Sequence, residues 1–285
     1  QQTIELLSQR DAPITDKFVA QIHLIASAMP LRRYQLAIET IEVIKANYPV
    51  GSFNWQKAYE LHMMVCFHAK DYSTAYNIFQ TVTTHPSFSK VTVYSREVWT
   101  VYGAYFYLLN KAGLLPNYRS DGKTFKLQRY LNSVPVYSKD KRGFNVPILV
   151  SQILLLIQLG RYDDLTERFD AIAKYKDRYL DRENNFRSNL FISMLLQVAK
   201  GNMNPNYIER RVEKYRKRLA EKSIDITDQR YDQEILPYED AWELTLHFLR
   251  KAQSNQIGTV KTPSAQHIPA YSTIIPLPGS PRTTP

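Results

Sequence analysis

Cys66 and the histidines on either side of it are the residues whose types and spacing could support chemistry. His62 and Cys66 are four residues apart, so they share one face of a helix, and His68 follows two residues later. Imidazole and thiolate groups bind zinc, and a thiol beside an imidazole can also act as a nucleophile. The neighbours Val65 and Phe67 are apolar, however, and thiols in such surroundings are usually inert.

The sequence lacks the further residues that a zinc site or a catalytic centre requires. It has six histidines and one cysteine, with no HExxH motif and no paired CxxC motifs. With only nine glycines, it contains neither GxSxG nor a glycine-rich phosphate loop. We therefore predict a protein that is not an enzyme and has no catalytic residues, no metal and no cofactor. An enzyme built on Cys66 with His62 or His68 is kept as a third hypothesis.

Positive charge is concentrated in two segments. The formal net charge is +10, and residues 119–142 and 205–222 together carry +9 of it. A local excess of this kind favours an acidic or polyanionic partner, although a solvated surface without a partner has the same composition. The basic contact candidates are Lys139, Lys141, Arg142, Arg210, Arg211, Lys214, Lys217 and Arg218.

Cysteine use and hydropathy bear on the compartment. The single cysteine excludes an internal disulfide and is typical of a reducing environment, so we expect a cytoplasmic location. No run of 18 apolar residues is present, and we expect no contact with a membrane. The sequence begins with Gln1, which favours a processed N terminus or the C-terminal part of a longer protein.

Helices must position these residues, because helical periodicity covers almost the whole chain. Prolines fall between the periodic segments or, for Pro147, in a first helical turn, where a missing N–H is tolerated. Glu239 and Asp240 follow Pro237 at a helix start, where carboxylates favour the helix dipole. The predicted helices cover residues 14–29, 31–47, 53–69, 71–83, 90–111, 124–132, 145–159, 161–179, 184–199, 205–221 and 238–252.

The composition changes near the C terminus. Residues 262–285 hold six of the fifteen prolines, mixed with serine and threonine, and such a segment cannot build a packed core. We predict a helical-repeat domain over residues 1–253, with a candidate sub-boundary near 112–123. A disordered tail rich in Pro, Ser and Thr would occupy residues 254–285.

One side-chain pattern occurs three times. It consists of Tyr, then Ala or Leu after three residues, Ile or Phe after seven, and Ile or Val after ten, which places all four on one helical stripe. We predict that the three tyrosines lie at equivalent junctions between paired helices. The copies are Tyr34, Ala37, Ile41 and Ile44; Tyr72, Ala75, Phe79 and Val82; and Tyr162, Leu165, Phe169 and Ile172.

This pattern resembles the second helix of a tetratricopeptide repeat, and Pro49 stands where that family has its closing proline. The resemblance implies antiparallel helix pairs stacked into a right-handed solenoid. It also implies a binding groove lined by the first helix of each pair. In the second copy, the residues that it places on the groove face are Lys57, Glu60, Met64, Phe67 and His68.

A second resemblance covers the C-terminal half. The stretches LQRYLNSVPVYSKDKRGFNVPILVSQILLL, RSNLFISMLLQ and ILPYEDAWEL are similar to the C-terminal half of a family of uncharacterised bacterial helical proteins. That resemblance implies a cytoplasmic location and a missing N-terminal half, and it implies no catalytic residue or ligand.

The sequence thus predicts an all-α, tetratricopeptide-like solenoid. Such arrays commonly bind peptides or proteins on a concave face, so we predict a non-enzymatic scaffold for a peptide or protein partner. The alternative is a regulatory or nucleic-acid-associated protein that uses the basic segments 119–142 and 205–222.

Overall fold

The computed structural model describes residues 14–119, 125–132, 144–180, 185–224 and 234–260. Within these ranges the chain forms eleven α-helices and one short 3-10 helix, Pro86–Lys90, and no β-strand. The all-α prediction is confirmed. In chain order the helices are α1 (Ile14–Ala28), α2 (Tyr34–Asn47), α3 (Phe53–His68), α4 (Tyr72–Thr84), α5 (Val93–Lys111), α6 (Leu127–Asn132), α7 (Asn145–Leu159), α8 (Leu165–Tyr179), α9 (Phe186–Lys200), α10 (Pro205–Glu221) and α11 (Tyr238–Val260).

The observed helix ends differ from the predicted ones in two informative places. α8 begins at Leu165 instead of residue 161, because Tyr162 accepts a turn hydrogen bond from the Leu165 N–H (3.1 Å). α11 continues to Val260, beyond the helix end predicted at residue 252. No helix in the described ranges is long and apolar enough to cross a membrane.

Short polar side chains fix where several helices begin. Ser52, Asp71, Thr92 and Asn204 each accept a hydrogen bond from a backbone N–H in the first turn of the helix that follows. Such caps satisfy amide groups that have no partner within the helix. Pro205 occupies the first position of α10, where its missing N–H costs nothing.

The three copies of the sequence pattern share one backbone turn. Each tyrosine comes two residues after a residue with positive φ, namely Arg32 (54°), Lys70 (61°) or Gly160 (69°). This left-handed residue lies in the turn that follows the first helix of each pair. Tyr34 and Tyr72 are the first residues of their helices, whereas Tyr162 precedes α8 by three residues. In each turn an N–H bonds the carbonyl five residues earlier: Arg33 to Ala28, Asp71 to Cys66, and Arg161 to Leu156.

The stripes that follow these turns are buried. All nine Ala, Leu, Ile, Phe and Val positions of the three copies are buried, whereas Tyr34 and Tyr162 are half-buried. The helix faces predicted from the spacing are therefore the faces that pack.

Consecutive helices pack against one another through most of the chain. The order α1 to α5 is continued by contacts of α5 with α7, and then α7 to α11 follow in turn. α11 also returns to pack against α7 and α9. A strict repeat array has contacts only between neighbouring units, so this return adds contacts that such an array lacks.

The core is continuous across the sub-boundary predicted near 112–123. One buried cluster extends from α3 to α11, and a smaller cluster joins α1, α2 and α3. α7 occupies the middle of the larger cluster, and every residue from Asn145 to Ile157 is buried. Two of its polar side chains have partners in α6: Ser151 lies 2.6 Å from the Tyr130 hydroxyl, and Gln152 donates to the Tyr130 carbonyl (3.0 Å).

The shared turn generates a stability prediction. A non-glycine residue in the left-handed region costs about 1–2 kcal/mol, so Arg32→Gly should raise the free energy of unfolding by about 0.5–1 kcal/mol after the entropy cost of glycine. Gly160→Ala should lower it by about 1 kcal/mol through the backbone alone, because a Cβ there meets no atom within 4 Å. Urea unfolding of both variants measures the two changes. If both variants raise the free energy of unfolding, or both lower it, the two turns are not equivalent.

Candidate interaction surface

The groove residues implied by the resemblance lie on α3, and most of them are interior. Lys57 and Glu60 are partly exposed and form an ion pair (3.1 Å). Met64 is buried among the residues of α1 to α3, and Phe67 stacks on Phe106 with ring centroids 5.1 Å apart. The His68 Nε2–H donates to the Glu234 carbonyl (3.1 Å). In this structure a peptide could touch Lys57 and Glu60 and could not reach the other three.

Cys66 is unsuited to nucleophilic chemistry in this environment. Its side chain is buried, and burial raises the pKa of the thiol to about 12. The thiol is therefore protonated at neutral pH, whereas a nucleophile needs the thiolate. No group of three or more His, Cys, Asp and Glu side chains that could hold a metal ion occurs among the described residues.

His62 belongs to a polar network between α2 and α3. The Lys45 ammonium donates to His62 Nδ1 (2.7 Å) and to Glu42 (2.8 Å), and it lies 4.3 Å from the centre of the Tyr59 ring. Burial and the positive charge of Lys45 lower the pKa of His62 to about 4. His62 is therefore a neutral hydrogen-bond acceptor that joins two helices.

This network generates a prediction about pH. Because the folded pKa of His62 is below its unfolded value of about 6.5, its contribution to stability is complete above pH 6.5 and is lost as pH falls to about 4. His62→Asn removes that dependence while keeping a side-chain acceptor. Between pH 7 and 4 the variant should therefore lose on the order of 2 kcal/mol less of its free energy of unfolding than the unmodified chain does.

The control for this prediction is His247→Asn, because His247 is exposed on α11. Urea unfolding at pH 7, 5.5 and 4 measures all three proteins. If the two asparagine variants show the same pH dependence, His62 does not cause the acid sensitivity.

Arg187 forms the largest charge cluster of the described chain. Its guanidinium donates to both carboxylate oxygens of Glu234 (2.9 and 2.7 Å) and of Glu239 (3.1 and 2.7 Å). It also donates to the carbonyls of Leu219 (2.9 Å) and Lys222 (2.7 Å) at the end of α10. Burial opposes the charge on Arg187, but these partners raise its pKa overall.

The cluster joins distant parts of the chain. Glu234 also accepts from the Tyr238 N–H (2.8 Å), and its carbonyl bonds His68 at the end of α3. Beside it, Lys70 pairs with Asp240 (2.6 Å). Glu239 and Asp240 do lie in the first turn of α11, as predicted, but they also pair with charges on other helices.

The position of Arg187 in the sequence indicates this cluster, although no motif marks it. Arg187 stands three, four and seven residues before Leu190, Phe191 and Met194, which are all buried. It therefore lies on the apolar stripe of α9. A charge on such a stripe needs a buried partner, and the spacing cannot show where along the chain that partner comes from.

Loss of Arg187 should be costly. Arg187→Met leaves Glu234, which is 4% exposed, as an uncompensated buried charge, and the free energy of unfolding should fall by about 3–5 kcal/mol. Arg216→Met breaks an exposed pair with Glu243 and should cost less than about 1 kcal/mol. Arg187→Lys keeps the charge without the paired hydrogen bonds, so its loss in free energy of unfolding should lie between those of the other two variants. Chemical denaturation measures all three variants, and a loss in Arg187→Met no larger than in Arg216→Met would contradict the account.

The basic helix α10 has the buried stripe that its sequence predicts. Ile208, Val212 and Leu219 are buried, and Tyr215 is half-buried on the same side. The five basic candidates of this helix are exposed. They are Arg210, Arg211, Lys214, Lys217 and Arg218.

Charge is divided between the two flanks of α10. On the flank towards α11, Glu209 pairs with Arg250 (2.7 Å) and Arg216 pairs with Glu243 (3.1 Å). The opposite flank has a row of cations spaced four residues apart: Arg210, Lys214, Arg218 and Lys222, all exposed. We call this row the basic ladder. Glu221 is the one acidic residue of α10 on the ladder side.

Aromatic rings hold several of these cations in place. The guanidinium of Arg218 lies 5.2 Å from the Phe186 ring centre, and the Lys222 ammonium lies 5.5 Å from it. Arg211 beside the ladder lies over Tyr207 (5.5 Å) and donates to Gln197 of α9 (3.0 Å). Cations restrained in this way lose less conformational entropy when they bind an anion.

Two further observations complete the description of the surface. Lys139, Lys141 and Arg142 lie outside the described residues. A cleft of about 560 Å³ lies between α8, the turn before α10 and α11, with Leu165, Phe169 and Leu249 among its apolar lining and Asp170 as its one charged side chain.

Comparisons of the chain with protein-family models, with curated proteins and with solved structures find no match.

Proposed function

We propose that the protein is a non-enzymatic scaffold that binds an acidic partner protein through the ladder flank of α10. The observation that carries this proposal is the division of charge across α10. Its acidic residues Glu209 and Glu213 have basic partners, whereas four cations are exposed in a row on the opposite flank. A one-sided field of this kind attracts and orients an anionic partner.

The burial of the cysteine and histidines that could support chemistry also favours the proposal. Cys66, His62 and His68 are buried, and each of the two histidines is held by a hydrogen bond to a structural partner. The surface of α10, in contrast, presents a row of exposed cations. We propose in addition that the helix pairs form a right-handed, tetratricopeptide-like array and that the protein is cytoplasmic.

A second candidate function is nucleic-acid binding through the same ladder. Exposed lysines and arginines neutralise phosphates and release counterions, which gives tight binding at low salt. The rings near the ladder favour the protein partner, because the protein's own cations already cover Tyr207 and Phe186. Proteins that bind single strands rely on rings that can stack on bases.

The test is a titration of labelled poly-glutamate and of single-stranded RNA at 50 and 200 mM salt. Lys214→Glu/Arg218→Glu should weaken poly-glutamate binding at least about tenfold at 50 mM salt, equivalent to about 1.4 kcal/mol. The reason is that both replaced residues lie in the ladder.

The matched control is Lys90→Glu/Lys111→Glu, which changes the net charge equally at exposed positions outside α10. It should retain most of the affinity. Equal weakening in both double variants would contradict a defined surface. RNA binding that is tighter than poly-glutamate binding and falls more steeply with salt would favour the second candidate.

A further inference from the structure

The cleft of about 560 Å³ that lies between α8, the turn before α10, and α11 combines aromatic rings with amide groups. Tyr162 and Phe169 supply the rings. Asn202, Asn204 and Gln253 also line the cleft, and all three are exposed. Asn204 caps α10 with its side-chain oxygen, so its amide N–H groups can still donate. This lining suits a ligand that has apolar side chains and many hydrogen-bond acceptors.

A proline-rich peptide is a ligand of this kind. Proline lacks the backbone N–H, so such a chain offers carbonyl acceptors and few donors. In a polyproline II helix, side chains three residues apart share one face, and proline rings on that face dock in grooves lined by aromatic side chains. The cleft therefore fits a segment that has prolines three residues apart.

The C-terminal sequence of the same chain contains such a segment. Pro278 and Pro281 are three residues apart, and Arg282 follows directly. Residues 261–285 contain two Lys or Arg residues and no Asp or Glu. The one charged side chain in the lining of the cleft is Asp170, which is exposed. The charges of the segment and of the cleft are therefore complementary.

This segment is long enough to reach the cleft from the end of α11. The helix ends at Val260, about 16 Å along its axis beyond Leu249, which lines the cleft. Pro278 comes 18 residues after Val260, and a polyproline II chain of that length spans about 56 Å. The chain can therefore turn back along α11 and bring Pro278 to the cleft.

Attachment to the same chain favours this segment over a peptide from another protein. Leu165 and Leu249 in the lining are each 1% exposed, so an occupant gains little from burying them further. A free peptide with so few apolar contacts would bind weakly. A segment tethered by a flexible linker has an effective concentration in the millimolar range, so weak contacts are enough to hold it.

We propose that residues 278–282 occupy the cleft of their own chain. The two prolines pack against the aromatic rings, Arg282 pairs with Asp170, and the exposed amides donate to carbonyls of the segment. The occupied cleft is then closed to other proteins. This inference is independent of the proposed function, because it uses no residue of the basic ladder.

A spin label at the end of the segment tests where the segment lies. Cys66 is buried and its thiol is protonated at neutral pH, so a nitroxide reagent labels the introduced thiol of Thr284→Cys selectively. In the full chain, the label should abolish the NMR signals of the backbone amides of Thr166, Asp170 and Gln253. The amide signals of α1 and α2 should keep their intensity.

Two double variants of the labelled chain separate the motif from the rest of the C-terminal sequence. Pro278→Asp/Pro281→Asp should restore the amide signals of the cleft, because it removes both rings and places like charges beside Asp170. Pro263→Asp/Pro269→Asp is the matched control, since it makes the same replacements before the motif, and the cleft signals should stay absent.

A charge reversal tests the ion pair in the same labelled chain. Asp170→Arg replaces an exposed side chain, so the fold should be retained, and it should restore part of the intensity of the cleft signals. Asp170→Arg/Arg282→Asp should abolish them again, because the pair is re-formed with its charges exchanged. Equal intensities in the single and the double variant would contradict the pairing.

Mixing two samples distinguishes the same chain from a second copy. Spin-labelled protein without isotopes is mixed with isotope-labelled protein that has no spin label, and the cleft signals of the second protein should remain intact. Their loss would show that the segment of one copy binds the cleft of another, which overturns the inference. Intact cleft signals in the spin-labelled chain itself, or a loss spread evenly over all helices, would overturn it as well.

Discussion

The burial of α7 on all sides, over all but its last two residues, is the constraint on which the rest of the structure depends. Thirteen consecutive residues, from Asn145 to Ile157, are buried, so this helix has no side that tolerates water. Each large aliphatic side chain that it buries contributes roughly 1.5–3 kcal/mol. Contacts with its sequence neighbour α8 leave much of its surface open, and α5 and α11 cover the remainder. The return of α11 therefore follows from the composition of α7.

The return of α11 has an electrostatic consequence. It brings Glu239 and Asp240, together with Glu234 before the helix, against Arg187 and Lys70. The same packing places one flank of α10 against α11, where Glu209 and Arg216 form ion pairs. The cations on the other flank remain on the outside. The proposed binding surface is thus the side of α10 that α11 leaves uncovered.

Local sequence patterns predicted the helices and their buried faces well. The stripes that follow Tyr34, Tyr72 and Tyr162 are buried as their spacing indicates, because the helical period decides which side chains share a face. Tyr162 is the exception, since it lies in the turn before α8. The common turn before them was not predicted, since Arg32, Lys70 and Gly160 have no residue type in common. Here the backbone conformation is repeated although the side chain is not.

Contacts between distant segments could not be read from the sequence. Phe67 and His68 were placed on a groove by analogy, but their partners Phe106 of α5 and Glu234 come later in the chain. Arg187 meets Glu234 across 47 residues, and no local period encodes that pairing. The basic surface of α10 was predictable in composition, whereas the choice of which of its charges pair with α11 depends on where α11 packs.

The most direct test of the account measures the acetylation rate of individual lysines with and without bound poly-glutamate. Lys214 should be protected several-fold, because carboxylates of the bound chain occupy its ammonium group. Lys111 and the α3 residue Lys57 should react at unchanged rates. Protection of Lys57 without protection of Lys214 would contradict the account and place the partner on α3.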